Sequence, residues 1–327
     1  MTTYLTNNEK DKLVTWEYKV NDRSLTTYLF DPFYNYIVTK LPKNVAPNIL
    51  TIAGFICTMY SYYLSSRYFD IYPQTCCLAI ALLTFLYMSF DAIDGKQARR
   101  IKNSTPVGEL LDHIFDNIGV IFMIINLCKI FGIDDELVKW NLVGFTQIVF
   151  LLSHIDGFDK NVVDFGLLSG PGEFLIGYIL IALLRSQFDF NEYINFANVL
   201  GKVAVLLFEF SRIVLYYKIY SLKNHSQTKF NLIISLILID FPRVFYLIKL
   251  ETISELDIIL MGMLFSVLTG DLILSKMAGK EVHHLIPIII SISLFGSYFG
   301  IIISILYHVL VVIEIVIYMD IPMFIVF

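Results

Sequence analysis

Apolar stretches of about twenty residues recur along this chain, and a segment of that length with few charges crosses a bilayer as an α-helix. Residues 76–90 (CCLAIALLTFLYMSF) and 117–131 (NIGVIFMIINLCKIF) are representative. In hydrocarbon each backbone amide must find its partner inside the protein, which a helix provides within one segment. With 57% hydrophobic and only 16% charged residues in 327, the composition lies outside the soluble range. Spans are expected near 48–67, 73–93, 107–132, 139–156, 171–188, 193–219, 229–249, 256–277, 283–300 and 301–320. The last two are divided only by the glycines and serine of SISLFGSYFGIII, so ten spans is the expectation and nine the fallback. Residues Asp31 to Pro42 alternate aromatic, aliphatic and polar side chains at helical spacing but are too few to cross. They read as an amphipathic helix lying on the membrane, with a loop packed on the bundle as the alternative. The fold class is therefore all-α: a polytopic membrane helix bundle of about ten transmembrane helices plus an N-terminal interfacial helix. A single membrane domain over 1–327 is expected, with 1–47 as cytosolic arm and interfacial helix and 48–327 as the bundle. No period of 20 to 50 residues repeats.

Charge supplies the orientation. With the N-terminus in the cytosol, Arg99, Arg100, Lys102, Lys160, Lys218, Lys223, Lys229, Lys276 and Lys280 fall in cytosolic links. Asp134, Asp135, Glu136, Asp189, Glu192, Glu251, Glu255 and Asp257 fall on the opposite side, while Arg67, Lys139, Arg185 and Lys249 weaken the asymmetry without reversing it. A net charge of −5 without long runs of one sign gives no nucleic-acid surface. Cys57, Cys76, Cys77 and Cys128 all sit in apolar segments and read as small core or lipid-facing residues. The first 24 residues lack an apolar signal core, so the first span is expected to do the targeting.

Between two of the apolar segments runs DAIDGKQARRIKNSTPVGELLDHIFD, Asp91 to Asp116. Asp91 and Asp94 are three apart, Asp112 and Asp116 four apart, so on helices each pair shares a face. A carboxylate at the centre of a membrane helix costs roughly 2.5 to 3.5 kcal/mol, less near the ends, and four together also repel. One or two divalent cations would relieve both costs. Hard cations such as Mg²⁺ or Mn²⁺ take oxygen ligands and are completed by substrate phosphates. Two of them can clamp a diphosphate as its bridging bond breaks. Gly95 and Gly108 permit close approach of backbone to a phosphate or a facing helix. Arg99 and Arg100 offer forked donors for phosphate oxygens. His113, about 100° round the helix from Asp112, could accept a proton from an incoming hydroxyl. A purely structural histidine remains the alternative.

The pattern D-x-x-D-G-x-x-A-R, eight residues, G-x-x-x-D-x-x-x-D is met here at every fixed position and resembles the signature of the CDP-alcohol phosphotransferases. KNVAPNILTIAGF, GKQARR, GELLDH and the late SKMAG further resemble the eukaryotic choline/ethanolamine phosphotransferase branch. The resemblance implies transfer of phosphocholine or phosphoethanolamine from CDP-choline or CDP-ethanolamine to diacylglycerol, with release of CMP. Asp91, Asp94, Asp112 and Asp116 would hold two Mg²⁺ ions, with Mn²⁺ as a substitute. Arg99 would contact the donor phosphates, Asn48 and Glu109 the donor nucleotide, with Gly95 and Gly108 at the substrate. His113 would be the general base, with Asp116 as second choice. It also implies a homodimer in the endoplasmic reticulum or Golgi membrane, and the charge asymmetry turns the aspartate cluster, the expected active site, to the cytosol. Choline and ethanolamine both stay open.

Two other functions are weighed: a relative that joins CDP-diacylglycerol to a soluble alcohol, and a cation or solute transporter. The acids lie at one membrane face and no repeat is seen, which disfavours transport; a scaffold would give no reason for four clustered aspartates. Asn48 could equally cap a helix, and Glu109 could serve the helix dipole. Glu209 with Arg212 and Asp240 with Arg243 read as intrahelical ion pairs. Asp271, Lys276 and Glu314 are lone polar groups in late spans, Lys276 a candidate for phosphate contact, while His283 and His284 read as interfacial.

Overall fold

A computed structural model describes residues 4–17, 19–160, 163–165, 170–188, 194–223, 225–248, 252–321 and 323. Asp189, Glu192, Lys249 and Glu251, used above in the charge balance, lie outside them. In chain order the elements are α1 (Asn7–Val14), β1 (Val20–Asp22), α2 (Leu25–Lys40), α3 (Pro47–Tyr68), α4 (Pro73–Arg100) and α5 (Pro106–Ile130). There follow α6 (Glu136–Lys160), β2 (Val163–Phe165), α7 (Pro171–Gln187), α8 (Ile194–Ser221) and α9 (Ser226–Ile239). The chain continues through α10 (Phe241–Leu247), α11 (Glu255–Ala278), α12 (Leu285–Ser293) and α13 (Ser297–Met319). The expected all-α membrane bundle is what forms. Its one departure among the described residues is a parallel pairing of β1 with β2, Val20 opposite Val163.

Seven helices among the described residues are long and apolar enough to span a membrane: α3, α4, α5, α6 to Phe158, α9 with α10, α11 and α13. The stretch expected to hold two spans at 283–300 and 301–320 holds one. Its chain breaks earlier, at Leu294 to Gly296, leaving α12 with nine residues. At 1.5 Å per residue that is about 13 Å, too short to cross. The break is set by packing, because a Cβ on Gly300 would lie 2.3 Å from the Ser293 carbonyl oxygen. Only glycine lets α13 approach the end of α12 so closely.

The chain divides into two compact units. One comprises Lys19–Asp134, Val163–Asn198 and Ile321–Phe327, and contains the aspartate motif. Proline starts α3, α4, α5 and α7, where its missing N–H costs nothing and its fixed φ suits the first turn. The α3, α4, α5 and α7 helices pack around a core that includes Cys77, Ile80, Ala81, Met123, Tyr178 and Ala182. Within it Asn126 Nδ2 donates to Ser61 Oγ at 3.2 Å, and Ser65 Oγ donates to Asn126 Oδ1, a polar link between α3 and α5. The helix expected at 31–42 begins earlier, at Leu25, because Ser24 Oγ accepts the N–H of Thr27 at 3.2 Å. On α2, Tyr34 and Val38 pack against Leu50 and Ile93, while Tyr28, Phe33 and Tyr36 are exposed, a face suited to the headgroup region.

The other unit comprises Met1–Tyr18, Asp135–Val162 and Val199–Asp320. Its centre is α11, buried at every position from Ile258 to Ala278 and surrounded by α1, α6, α9, α12 and α13. A helix apolar all round is stable only so enclosed, by protein or by lipid. Ser254 and Asp257 form its capping box, and Gly279 ends it in the left-handed region at φ 57°. The lone polar groups of the late spans anchor the N-terminus. Glu314 accepts the backbone N–H groups of Tyr4 and Leu5 at 2.9 and 3.1 Å and pairs with Lys10 at 2.9 Å. Asp271 accepts the Tyr4 hydroxyl at 2.7 Å. The two pairs expected at a spacing of three both form, Arg243 standing 3.8 Å from Asp240, and they join into one network. Arg212 meets Glu209 at 3.2 Å and Asp240 at 3.1 Å, and Arg243 meets Glu209 at 2.7 Å. Four charges in an apolar bundle are tolerable when each faces two opposites.

Candidate metal centre

The site is built from three helix ends of one unit. On the last turns of α4, Tyr87, Asp91 and Asp94 follow at spacings of four and three, so all three share one face. On the first turns of α5, Asp112 and Asp116 do the same, and Thr105 starts that helix by accepting the N–H of Gly108 at 3.1 Å. The third contributor is the start of α3. Asn48 lies one residue inside it, after Pro47, and Ala46 holds the cap position without a side-chain bond. The cap role weighed for Asn48 is therefore not what it does. Asn48 is buried, its Nδ2 donating to the Met323 carbonyl at 3.2 Å. Its Oδ1 faces Gly108, where an added Cβ would stand 3.4 Å away. Gly108 thus serves the close meeting of α3 and α5.

The four aspartates act on one another electrostatically, Asp91 with Asp94 and Asp116, Asp112 with all three others. Asp94 is buried; Asp91, Asp112 and Asp116 are half-buried. Two hydroxyls hold the carboxylates in place. Thr51 Oγ1 donates to Asp94 Oδ2 at 2.6 Å, linking α3 to α4. Tyr87 OH donates to Asp116 Oδ1 at 2.5 Å, linking α4 to α5. Asp112, His113 and Asp116 each present a ligand atom, all within 4.8 Å of one another. His113 accordingly stands among the acids. One oxygen of Asp112, Oδ1, is buried with no hydrogen-bond partner among the described residues. A buried carboxylate oxygen left this way costs free energy that a cation would recover. The donor set, carboxylate oxygens at a helix junction, is that of a hard divalent ion. On both counts the residues fit such an ion.

The remaining expected residues divide. Arg99 is exposed, with its guanidinium over Gly95, where an added Cβ would meet Nη1 at 3.4 Å, and it acts electrostatically on Asp94. Glu109 is half-buried in the first turn of α5 and acts on Asp112. Arg100, expected to offer its fork to phosphate, spends it on protein instead. Its Nη1 donates to the carbonyls of Val38 and Leu41, the latter at 2.8 Å, and its Nη2 to that of Thr39 at 3.3 Å. These carbonyls lie at the C-terminal end of α2, where helical N–H donors run out, and that of Val38 also accepts the Leu41 N–H at 3.3 Å. Lys96 pairs with Asp31 at 2.7 Å, and Gln97 Nε2 donates to the Pro42 and Val45 carbonyls at 3.0 and 3.2 Å. Together they fasten α2 and the turn after it to α4.

Thr51 and Tyr87 are the members of the site that inspection of the acids alone does not reveal. Both had a signal. Thr51 closes the APNILT stretch at the start of its span, and Tyr87 lies one turn before Asp91 on the same face.

A family model described as CDP-alcohol phosphatidyltransferase matches residues 44–268. Among curated proteins, the chain is 26% identical over 302 residues to the uncharacterized CDP-alcohol phosphatidyltransferase class-I family protein 1 of Dictyostelium discoideum, covering 84% of this chain and 77% of that protein. It is 31% identical over 159 residues to the ethanolaminephosphotransferase 1 of Homo sapiens, 44% of this chain and 40% of the relative. Against the cholinephosphotransferase 1 of Saccharomyces cerevisiae it is 36% identical over 126 residues, 37% of this chain and 32% of the relative. In both phosphotransferases the matched part is less than half of the relative's length.

Proposed function

Because the chain belongs to the CDP-alcohol phosphatidyltransferase family, we propose that it transfers phosphocholine, phosphoethanolamine or both from the CDP ester to diacylglycerol. The products are phosphatidylcholine or phosphatidylethanolamine and CMP. The observation that carries this reading is the junction of α4 and α5, where two carboxylate pairs are fixed by Thr51 and Tyr87 beside the His113 imidazole.

Asp91, Asp94, Asp112 and Asp116 would hold two Mg²⁺ ions, for which Mn²⁺ can substitute. When bound, such ions neutralise the charge of a diphosphate and of its departing phosphate oxygen. The chain's own groups do the rest. Arg99, exposed beside Asp94, takes the donor's phosphate oxygens through its fork. Asn48 and Glu109, at the starts of α3 and α5, contact the nucleotide, and Gly95 and Gly108 keep room for it. The diacylglycerol oxygen bonds to the phosphorus that carries the alcohol, the bond from that phosphorus to CMP breaks, and the hydroxyl proton passes to a ring nitrogen of His113. Asp116 is the second candidate for that proton. As a ligand of the metal ions it would be the poorer acceptor, which an imidazole free of metal is not. The chain is an integral membrane protein; we place it in the endoplasmic reticulum or Golgi as a homodimer, each chain a single membrane domain, with this site open to the cytosol.

The test is purified protein supplied with diacylglycerol, Mg²⁺ and labelled CDP-choline and CDP-ethanolamine in competition, scored by lipid product and CMP. Absence of both labelled lipids, with product formed instead from CDP-diacylglycerol and a soluble alcohol, would overturn the substrate assignment while leaving the chemistry.

A further inference from the structure

The unit centred on α11 contains a cavity of about 570 Å³ that shares no residue with the aspartate motif. It is lined at the end of α11 by Lys276, Lys280 and Glu281, from α1 and the turn after it by Lys12 and Trp16, and by Phe158 and His225. Gly279, in the left-handed region at φ 57°, turns the chain there and brings residues 280 and 281 to the cavity.

The lining carries an excess of positive charge. Three lysines line it against one carboxylate, and that carboxylate is engaged. Glu281 Oε2 accepts the N–H and hydroxyl of Thr228 at 2.7 and 2.5 Å, and Oε1 meets His225 Nδ1 at 2.9 Å. Asp271, the next acid, is fully buried and committed to the Tyr4 and Tyr307 hydroxyls and the His283 N–H. Lys280 lies 4.0 Å from it, at the limit of an ion pair. The Lys280 side chain is only 7% exposed, and its Nζ has no hydrogen-bond partner among the described residues. It rests 4.5 Å over the Tyr4 ring, which offers a partial substitute. A buried ammonium with its donors unmet is costly, and negative charge brought into the cavity beside it offsets part of that cost. Lys12 Nζ donates to the Gly279 carbonyl at 3.1 Å, and Lys276 Nζ stands 5.3 Å over Trp16.

We propose that this cavity binds a phosphate-bearing anion, its phosphate held by Lys12 and Lys276 above the buried ammonium of Lys280, with Trp16 and Phe158 against the remainder of the ligand. Compact ammonium groups act as point charges towards phosphate, and three of them suit a dianion better than a lone carboxylate. The volume falls within the range of about 300 to 1,000 Å³ usual for small-ligand sites. The phosphate can come from a soluble phosphate compound or from the headgroup of an anionic lipid, and the ligand ties α1 to the end of α11 in either case.

The test uses the full chain in nanodiscs of phosphatidylcholine, with EDTA present and in the Asp94→Asn background so that the motif contributes no phosphate binding. Inorganic phosphate is titrated in one arm, and phosphatidic acid is incorporated into the discs in the other. Binding is read from Trp16 fluorescence, with Trp16→Phe as the blank, and from the melting temperature. A response in the first arm identifies a soluble phosphate, and a response only in the second a lipid headgroup. In either arm Lys280→Gln should weaken the response at least about tenfold, the loss of the positive charge beneath the phosphate. Should Lys280→Gln fail to fold, Lys12→Gln at the exposed rim decides by the same reading. Equal responses in wild type and variant, or none in either arm, would overturn the proposal.

Discussion

Asp94 has a double tie: its carboxylate faces the other three acids and accepts the Thr51 hydroxyl. Asparagine there keeps the size and the hydrogen bond but removes the charge. Asp94→Asn should therefore lower turnover by at least about a hundredfold, the scale of losing one charge-stabilising group, with the melting temperature little changed. Turnover near wild type would sink the metal role. His113 makes a sharper case, since its place within 4.8 Å of Asp112 and Asp116 would suit a base or a ligand. A base predicts that His113→Ala lowers kcat by about 10² to 10⁴ while CDP-alcohol affinity stays the same. If affinity and metal dependence shift together instead, His113 is a ligand.

Among the elements, α2 is held to α4 by the Arg100 fork on its last carbonyls and by apolar contact with Ile93, and to α3 by Leu50. Removing the fork in Arg100→Ala leaves the carbonyls of Val38, Thr39 and Leu41 without that donor, at a cost of about 1 to 3 kcal/mol. Arg100→Lys should recover only part, because an ammonium cannot span three carbonyls at once. Melting temperature and protease cleavage within α2 would register both. In the other unit α6 and α8 meet at Gly144, where a Cβ would stand 2.4 Å from the Phe208 ring. Gly144→Ala should destabilise by about 1 to 3 kcal/mol through overpacking, read as a lower melting temperature with activity per folded molecule retained.

For the molecule as a whole, metal dependence and acid stability give separate readings. Chelation with EDTA should abolish transfer reversibly, and added Mg²⁺ should restore it; turnover persisting in EDTA would argue for a metal-free route. Stability against acid should respond to Glu281. Burial works against its charged form, but hydrogen bonds from Thr228 and the contact with His225 prevail and hold it below the ordinary 4.5. A depressed carboxyl stabilises the fold above the unfolded value and ceases to do so as pH falls through the folded one. Thr228→Val should thus lower the melting temperature at neutral pH, and the difference from wild type should shrink below about pH 4.5.

What the amino-acid sequence determined alone was everything that depends on near neighbours. Apolar runs of span length, prolines at helix starts and aspartates three and four apart each state their structure within one or two turns, and the motif gave the class of chemistry. The tertiary structure decided what depends on residues far apart in the chain. Thr51 reaches Asp94 across 43 positions and Tyr87 reaches Asp116 across 29. Arg100 turned from phosphate to the carbonyls of α2 because those carbonyls end a helix packed beside it. The lysines of the α11 cavity come from positions 12, 276 and 280, whose common cause is the docking of α1 on α11. Periodicity reports which face of a helix is apolar; only packing determines which polar side chain on another helix meets it.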